Sequence, residues 1–399
     1  MGRRTWARGR RRCRLRRPHD AVWERLSVNA DCSDLNGPHS RLREGCESRG
    51  LDFRKVTRNT DPASYDPVTA GYMGFGDQSG SKRSTQKTYL ADAAGRDADF
   101  LVNCRVERII VEDGRAAGVE ASYADPDGRR AKVTVRAPAV VVACGSIESP
   151  ALLQRSGIGG PAAGDNLHLH PTSAVVGLYE EPQDPWWGPP QAGLSHEFED
   201  FRDGYGCLIE CPQHTTGLSA AATPWRSGFD HKDQLSKFAR GASFINVTRD
   251  RGHGRVTIDD NGLAVTHYPL TDELDIANIR RGIEEMIRLH EAAGAIEMQA
   301  LSKRTPVWRR GDDLEAFLTA VGELSMAPRE IGLFSAHQMG SCRMGTDASS
   351  SVAGPWGELH DTPGVWIGDA SAFPTASGTN PMFTVMSLAR RTADAIAAG

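Results

Sequence analysis

The side chains best suited to chemistry lie in the C-terminal part of the chain. One histidine, His337, stands in a glycine-bracketed loop that reads His-Gln-Met-Gly-Ser-Cys-Arg-Met-Gly. An imidazole can exchange a proton near neutral pH. A strand-like run ends at residues 368–370, Gly-Asp-Ala, and a helix opens at Asn380 and Pro381. Glycine allows close backbone approach, and a helix start favours negative charge. Together these features indicate redox chemistry on a bound ring system.

Short strands precede this region and must position it. Alternating apolar residues and turn signals predict a β-meander over 100–112, 116–123 and 131–135, followed by a fully buried strand over 139–144. A helix then starts at Gly145 and ends near residue 156. Strand, glycine turn and helix in this order can offer backbone N–H groups to a phosphate, although the signal is weak alone.

The middle of the chain differs in composition and contains proline- and tryptophan-rich loops at 185–190 and 224–225. An Asp-Asn-Gly turn predicts a hairpin over 254–268. Apolar residues at helical spacing predict an amphipathic helix over 271–293. We therefore expect a second domain in this part of the chain.

Composition narrows the class of protein. The chain has 399 residues with Gly 42 and Pro 22, which is typical of a mixed α/β enzyme. No apolar run reaches the roughly 18 residues of a membrane span, so we expect a soluble protein without a stable membrane anchor. The eight cysteines show no zinc-site spacing, which predicts no metal site, reduced thiols and a cytoplasmic location.

Nine arginines fall within residues 1–17, while acidic residues outnumber basic ones in the rest of the chain. Such a run can act as an arm for nucleic acid or a membrane surface. It can equally be an unstructured tail. We favour the tail, and no nucleic-acid partner, because nothing downstream forms a basic surface with interleaved aromatic residues.

Three blocks together are similar to one known family. Residues 145–159 (Gly-Ser-Ile-Glu-Ser-Pro-Ala-Leu-Leu-Gln-Arg-Ser-Gly-Ile-Gly) and 164–171 (Gly-Asp-Asn-Leu-His-Leu-His-Pro) resemble consecutive segments of the glucose–methanol–choline (GMC) oxidoreductases. The C-terminal block around His337 and residues 368–381 is similar to their catalytic and flavin-binding region. The form of the histidine loop is closest to the long-chain-alcohol oxidase branch. The resemblance runs from about residue 24 to the end of the chain.

The resemblance implies an FAD/NAD(P)-binding-like α/β GMC fold with an antiparallel-sheet substrate domain. It also implies FAD-dependent oxidation of an alcohol to a carbonyl, with His337 as the base and hydride transfer to flavin N5. Asn380 matches the position that hydrogen-bonds the substrate oxygen, and it is also a good N-cap before Pro381. The cofactor-binding residues that the resemblance implies are Val106, Gly145, Ser146, Gly368, Asp369, Ala370, Asn380, Pro381 and Met382. Val106 is as well explained as a core valine.

The resemblance leaves the substrate and the electron acceptor open. The tryptophan-rich loops favour an apolar or bulky alcohol, and oxygen or another acceptor could reoxidise the flavin. The domains expected are a disordered tail (1–23), a partial FAD-binding domain (24–171), a substrate-binding domain (172–330) and the C-terminal part of the FAD-binding domain (331–399).

The sequence departs from the family at the N-terminus. No strand, G-x-G-x-x-G turn and helix precede the matching blocks, and residues 74–80 only approach that spacing. We therefore expect an N-terminally truncated member of the family. The alternative to an active oxidoreductase is a non-catalytic remnant that cannot hold FAD.

Overall fold

The computed structural model describes residues 12–399, with side chains from Leu15 onward. The α-helices in this part are α1 (Arg12–Arg25), α2 (Gly37–Ser48), α3 (Tyr89–Ala94), α4 (Gly145–Arg155), α5 (Thr216–Ala222), α6 (Gly228–Ser236), α7 (Glu273–Ala292), α8 (Leu314–Gly322) and α9 (Met382–Ala398). Short 3-10 turns cover Ala70–Tyr72, Phe238–Arg240 and Ala370–Ala372. None of these helices is long and apolar enough to cross a membrane.

The strands fall into several small sheets and one large sheet. They are β1 (Val28–Asn29), β2 (Arg54–Lys55), β3 (Arg58–Asn59), β4 (Cys104–Glu112), β5 (Arg115–Ala124), β6 (Arg130–Arg136), β7 (Val140–Val142), β8 (Asp165–Leu167), β9 (Thr172–Leu178), β10 (Gly193–Ser195), β11 (Cys207–Glu210), β12 (Gly241–Thr248), β13 (Gly254–Ile258), β14 (Ala264–His267), β15 (Glu297–Ala300), β16 (Trp308–Arg309) and β17 (Val365–Ile367). The large sheet is antiparallel, in the order β16-β15-β9-β12-β11-β10-β2.

One face of the large sheet packs against α2 and α7. Val175 of β9 and Phe244 of β12 belong to a buried cluster with Ile279 and Ile283 of α7. Side chains alternate along a strand, so the neighbouring residues Ala174 and Ile245 point to the opposite face and join a separate cluster. The large sheet therefore has two distinct sides, one covered by α7 and one turned toward the histidine loop and α5.

The structure confirms the helix predicted over 271–293, which is α7, and the hairpin predicted over 254–268. The hairpin forms from β13 and β14, which are antiparallel and joined by the Asp-Asn-Gly turn. Asp272 caps α7 by accepting hydrogen bonds from the backbone N–H groups of Leu274 and Asp275. A capped, strongly amphipathic segment such as this one is specified mainly by local sequence.

The meander of β4, β5 and β6 is also as predicted, but the strand that follows it is not. Strand β7 pairs in parallel with β17, and of its residues only Val142 is buried, whereas Val141 is 50% exposed. The prediction of a fully buried strand was therefore wrong. An unbroken apolar run does not reveal how many strands lie beside it, and in the described part of the chain β7 pairs with β17 alone.

The expected disordered tail also needs correction. Residues 12–23 lie in α1, which packs against α9, with Trp23 and Phe383 rings 5.3 Å apart. Arg25 at the end of α1 donates two hydrogen bonds of 2.7 Å to Asp92. The apolar residues of this segment, among them Val22 with 1% exposure, account for its packing. The rest of the predicted tail, residues 1–11, lies outside the described residues.

Candidate active site

Asp369 joins the strand pair to the turn that begins α4. Its Oδ1 accepts from the backbone N–H and the hydroxyl of Ser371. Its Oδ2 accepts from the backbone N–H of Gly145, at 2.8 Å, and from the hydroxyl of Ser149. Both carboxylate oxygens are thus fully used inside the chain. Through these bonds Asp369, which the resemblance assigns to the cofactor, holds the end of β17 against the start of α4.

The turn at the start of α4 is shaped by Gly145, whose φ of +81° suits glycine. Its N–H is donated to Asp369, and the N–H of Cys144 goes to the Ser149 hydroxyl at 3.0 Å. These two donors are therefore not available to a phosphate, which argues against the phosphate-binding interpretation of this turn. The side of Gly145 where a Cβ would stand is open, with no atom within 4 Å.

Ser146, Gly368 and Ala370 also serve mainly to hold the chain together. The hydroxyl of Ser146 donates to the carbonyl of Gln338 at 2.9 Å. The carbonyl of Ala370 accepts from the N–H of Gly340 at 3.1 Å. The N–H of Gly368 bonds to β7, and a Cβ on Gly368 would stand 2.8 Å from the Val141 side chain. These contacts fix the histidine loop between α4 and the end of β17.

His337 lies half-buried in that loop, with its Nδ1 3.2 Å from Nδ1 of His170. His170 is itself held by Asp250, which accepts from its backbone N–H at 3.1 Å. Burial lowers the pKa of His337 to about 4 and that of His170 to about 3. Both rings are therefore neutral at pH 7, and each carries a single ring proton.

Backbone contacts fix which ring atom of His170 meets His337. The N–H of Gly378 donates to Nε2 of His170 at 3.1 Å, so Nδ1 of His170 is the ring atom that faces His337. Nδ1 of His337 is engaged in this contact, which leaves its Nε2 for a substrate. The base role of His337 stays a prediction.

Asn380 follows Gly378, the backbone partner of His170, by two residues. Its side chain contacts a residue that sequence analysis missed. Its Nδ2 donates to Oε1 of Glu210 at 3.3 Å. Glu210 ends β11 and is 2% exposed, and its Oε2 is buried without a hydrogen-bond partner. Burial raises the pKa of Glu210 to about 7, although Asn380 and the charge of Arg58 act in the opposite direction.

The contact with Glu210 corrects the structural role predicted for Asn380. Helix α9 starts at Met382 with Pro381 at the N-cap, and no side chain caps it. Asn380 is exposed, and its amide reaches β11 instead of the helix. The first N–H groups of α9 therefore remain available at a surface where Met382 is 39% exposed.

Val106 lies in β4, half-buried against the apolar cluster beneath β7 and β17. The structure gives it a packing role and no polar contact with the residues above. This matches the alternative interpretation of Val106 as a core valine. The residues predicted from the sequence therefore fall into three sets. Val106 packs in an apolar cluster, and Gly145, Ser146, Gly368, Asp369 and Ala370 form hydrogen bonds that connect segments of the chain. The third set, His337, Asn380, Pro381 and Met382, is left with groups that a ligand could contact.

A cavity of about 540 Å³ lies on the side of the large sheet away from α7. Its walls are mainly apolar and include Ala174 and Val176 of β9, Ile245 of β12 and Leu218 of α5. Phe334, three residues before His337, also lines it. The tryptophans on which the expectation of an apolar substrate rested are not among its lining residues.

The cavity and the polar groups share the same strands. Ile245, on the cavity wall, pairs directly with Glu210 on the neighbouring strand. Glu210 alternates with Ile209, which faces the α7 cluster, so its side chain lies on the cavity side of the sheet. On the other flank, Phe334 bonds through its backbone to Thr172, two residues after His170. The cavity wall is therefore connected through backbone pairing to the strand of Glu210 on one side and to the segment of His170 on the other.

The described residues fit one part of a flavin cofactor better than the other. The open side of Gly145, the exposed Met382 and the uncapped start of α9 suit a flat, electron-rich ring. The candidate turn at Cys144 and Gly145 does not offer these two N–H groups to a pyrophosphate, because it uses them within the chain.

The chain thus combines an antiparallel sheet that bears an apolar cavity with a parallel strand pair and a histidine loop. Residues 4–172 and 250–389 match the N-terminal and C-terminal profiles of the GMC oxidoreductases. The chain therefore belongs to the GMC oxidoreductase family. The match begins at residue 4, inside the arginine-rich segment, and so extends further toward the N-terminus than the blocks recognised in the sequence.

The chain is similar to curated members of the family. It is 33% identical to a long-chain-alcohol oxidase of Arabidopsis thaliana over 92% of this chain and 50% of that protein. It is 33% identical to an uncharacterized GMC-type oxidoreductase of Mycobacterium tuberculosis over 95% of this chain and 58% of that one. The chain thus spans about half the length of the curated relatives it matches.

Solved structures agree on the fold. The chain superposes on pyridoxine 4-oxidase from Mesorbium loti with a TM-score of 0.65 and 17% identity, covering 90% of this chain and 70% of that one. Formate oxidase from Aspergillus oryzae gives 0.65 and 14%, with the same coverage. At these identities the similarity establishes the GMC fold: mixed α/β with an antiparallel sheet.

Sequence analysis missed Glu210 and assigned no role to His170. Glu210 stands in the run Cys-Leu-Ile-Glu-Cys, and a single carboxylate within an apolar strand is a signal of a special environment. His170 was part of a recognised block but received no role. Its contacts with His337 and Gly378 join segments far apart in sequence, so no local pattern could have predicted them.

Proposed function

We propose that this chain forms the substrate-oxidising part of an FAD-dependent oxidoreductase that converts the CH–OH group of an apolar alcohol to a carbonyl. The observation that supports this most directly is the apolar cavity, which is lined by Phe334, three residues before His337, and by Ile245, the strand partner of Glu210. The relatives named long-chain-alcohol oxidases are consistent with an apolar substrate. The electron acceptor, oxygen or another molecule, is not distinguished.

In this proposal the alkyl part of the alcohol fills the cavity and its hydroxyl lies between His337 and Asn380. His337 takes the hydroxyl proton on Nε2, while His170 holds the ring through its Nδ1. The Nδ2 amide group of Asn380 donates one hydrogen to Glu210, and its second hydrogen can bond to the substrate oxygen. FAD, when bound, supplies the hydride acceptor.

Asn380, Pro381 and Met382 are the residues of this chain that would hold the flavin ring. The unpaired N–H groups at the start of α9 place partial positive charge there, which favours an electron-rich ring. The formate oxidase structure concerns FAD modification in that protein, and FAD is proposed for this chain by family membership. A cytoplasmic location stays a prediction.

The second candidate, a chain that does not hold FAD, is favoured by one observation. Cys144 and Gly145 use their N–H groups for hydrogen bonds within the chain, so these two groups cannot bind the phosphates of FAD. Melting of the purified chain with and without added FAD separates the candidates, since a ligand that binds only the folded state raises its stability. Retained flavin absorbance and bleaching by 1-decanol without oxygen are expected; no rise in melting temperature and no absorbance would overturn the proposal.

A further inference from the structure

The wall of the apolar cavity contains one row of polar side chains. Every second residue of a strand faces the same side of a sheet, and paired residues of adjacent strands stand next to each other. Ala174 of β9 and Ile245 of β12 form an apolar pair on the wall. Two residues further along β9, Val176 pairs with Ser243 on one side and with Gln299 of β15 on the other, and all three line the cavity. The wall therefore changes from apolar to polar between these two rows.

Gln299 is the member of this row whose polar group lacks a partner in the chain. Its side chain is buried, with 7% exposure, and its Nε2 has no hydrogen-bond partner among the described residues. A half-turn of the carboxamide exchanges Nε2 with Oε1, so either a donor or an acceptor can face the cavity. An unpartnered buried amide lowers the stability of the fold. On a cavity wall it indicates a ligand that supplies the missing partner.

The surroundings of the row suit an uncharged ligand group. Ser243 is half-buried, and its backbone N–H donates to Nε2 of His214 at 3.2 Å. His214 also lines the cavity, and burial lowers its pKa to about 4, so the ring is neutral at pH 7. The described residues of the cavity wall include no lysine, arginine, aspartate or glutamate. A charged group at this row would therefore be buried without a counter-charge, which is unfavourable.

The polar row lies some distance along the sheet from the histidine loop. Thr172 is the first residue of β9 and pairs with Phe334, three residues before His337. Val176 is four residues further along the strand, which corresponds to about 13 Å at the rise of a β-strand. An alkyl chain of medium length that starts near His337 can therefore reach Gln299 and Ser243 with its other end.

We propose that the substrate is an alcohol with a second, uncharged oxygen at the far end of its alkyl chain, such as a diol, and that Gln299 and Ser243 bind this oxygen. This inference rests on the proposed function, whose substrate class it narrows. The carboxamide of Gln299 and the hydroxyl of Ser243 can each donate and accept, as a ligand hydroxyl requires. Val176, Ala174 and Ile245 contact the methylene groups between the two oxygens.

Ligand binding to the purified chain, measured by calorimetric titration without oxygen, tests this row separately from turnover. The quantity compared is the Kd of 1,10-decanediol divided by the Kd of 1-decanol. Differences in hydration between the two alcohols cancel when this ratio is compared between variants. The ratio should rise about tenfold in Gln299→Leu and about threefold in Ser243→Ala, because each variant loses a hydrogen bond to the second oxygen. Gln234→Leu makes the same substitution at a cavity residue on α6, outside the row, and should leave the ratio unchanged.

An unchanged ratio in Gln299→Leu, an equal change in Gln234→Leu, or a diol that does not bind the wild type would overturn the proposal. The melting temperature of Gln299→Leu should equal or exceed that of the wild type, since the substitution removes the unpartnered amide, and weaker diol binding is then not a loss of fold. At about pH 8, 10-hydroxydecanoate should bind about tenfold more weakly than the diol. Tighter binding of this acid would overturn the uncharged class. A chain that binds the diol as expected, but whose retained FAD no alcohol reduces, defeats the proposed function instead.

Discussion

Two buried carboxylates, one in each part of the molecule, are treated in opposite ways. Asp369, beside the parallel strand pair, accepts four hydrogen bonds from groups on α4 and on the turn that follows β17. Glu210, on the antiparallel sheet, accepts one and leaves an oxygen buried and free. Both lie near residues that the family resemblance assigns to the site. The two carboxylates differ in the number of hydrogen bonds they accept. Asp369 is fixed between two segments of the chain, whereas Glu210 has one oxygen without a partner.

The largest effect we expect is from Asp369→Ala. The substitution leaves the N–H groups of Gly145 and Ser371 and two hydroxyls without an acceptor, which should lower the free energy of unfolding by about 4 kcal/mol. Urea denaturation measures it. Asp347→Ala removes an exposed aspartate with comparable serine contacts and should change little. Equal midpoints for the two variants would contradict the view of Asp369 as a joint.

Glu210→Gln should have the opposite sign at alkaline pH. The pKa of Glu210 is about 7 in the folded chain, above the 4.5 of an ordinary glutamate, so its contribution to stability is complete below about pH 4.5 and is lost as pH rises through 7. A glutamine does not ionise. At about pH 8 the variant should exceed the wild type in unfolding free energy by up to about 3 kcal/mol, with little difference at about pH 4. A gap that shrinks with rising pH would show that Glu210 is not held in this way.

Substitutions at His337 test the predicted base. His337→Ala removes the group proposed to take the hydroxyl proton and should slow flavin reduction about 100-fold. His337→Gln keeps an N–H near the same position but cannot take a proton, so it should be about as slow. Anaerobic stopped-flow absorbance of the flavin measures both. A rate in His337→Gln at least tenfold above that of His337→Ala would contradict the base role.

A smaller effect is expected from narrowing the cavity. Val176→Phe places a ring on the cavity wall, away from Glu210 and His337. It should raise KM for 1-dodecanol about tenfold while leaving that for 1-butanol nearly unchanged, because only the longer chain needs the space. Val265→Phe on β14 lies outside the cavity lining and serves as the control. The same change in KM for both alcohols would show that the cavity does not bind the alkyl chain.

Local sequence predicted the elements of the fold well. Helix α7 has its cap, its apolar stripe and its end within the predicted 271–293, and the hairpin of β13 and β14 has its own turn signal. The exposure of β7 could not be predicted, because burial depends on which strands lie beside it. The packing of α1 on α9 could not be predicted either, because the arginine-rich composition of the N-terminal segment suggested a tail and α9 lies far away in the sequence.

The site was predicted in part. His337 and Asn380 were identified through the family resemblance, and the structure gives each a polar partner, His170 for His337 and Glu210 for Asn380. What sequence did not reveal were pairwise contacts between distant segments. Asn380 and Glu210 are 170 residues apart, and an Asn-Pro pair before a helix suggests an N-cap on local grounds. The bond between the Gly145 N–H and the Asp369 carboxylate is another such contact, and the cofactor-binding roles of both residues stay predictions.

The exposed strand β7 has a further consequence, for behaviour at high protein concentration. Its inner side pairs with β17, and in the described part of the chain no other strand covers its outer side. An uncovered β-edge with an apolar residue such as Val141 is a template on which another molecule can add a strand. We expect concentration-dependent self-association in sedimentation, reduced by Val141→Lys and not by Leu263→Lys, an exposed apolar residue in the turn between β13 and β14.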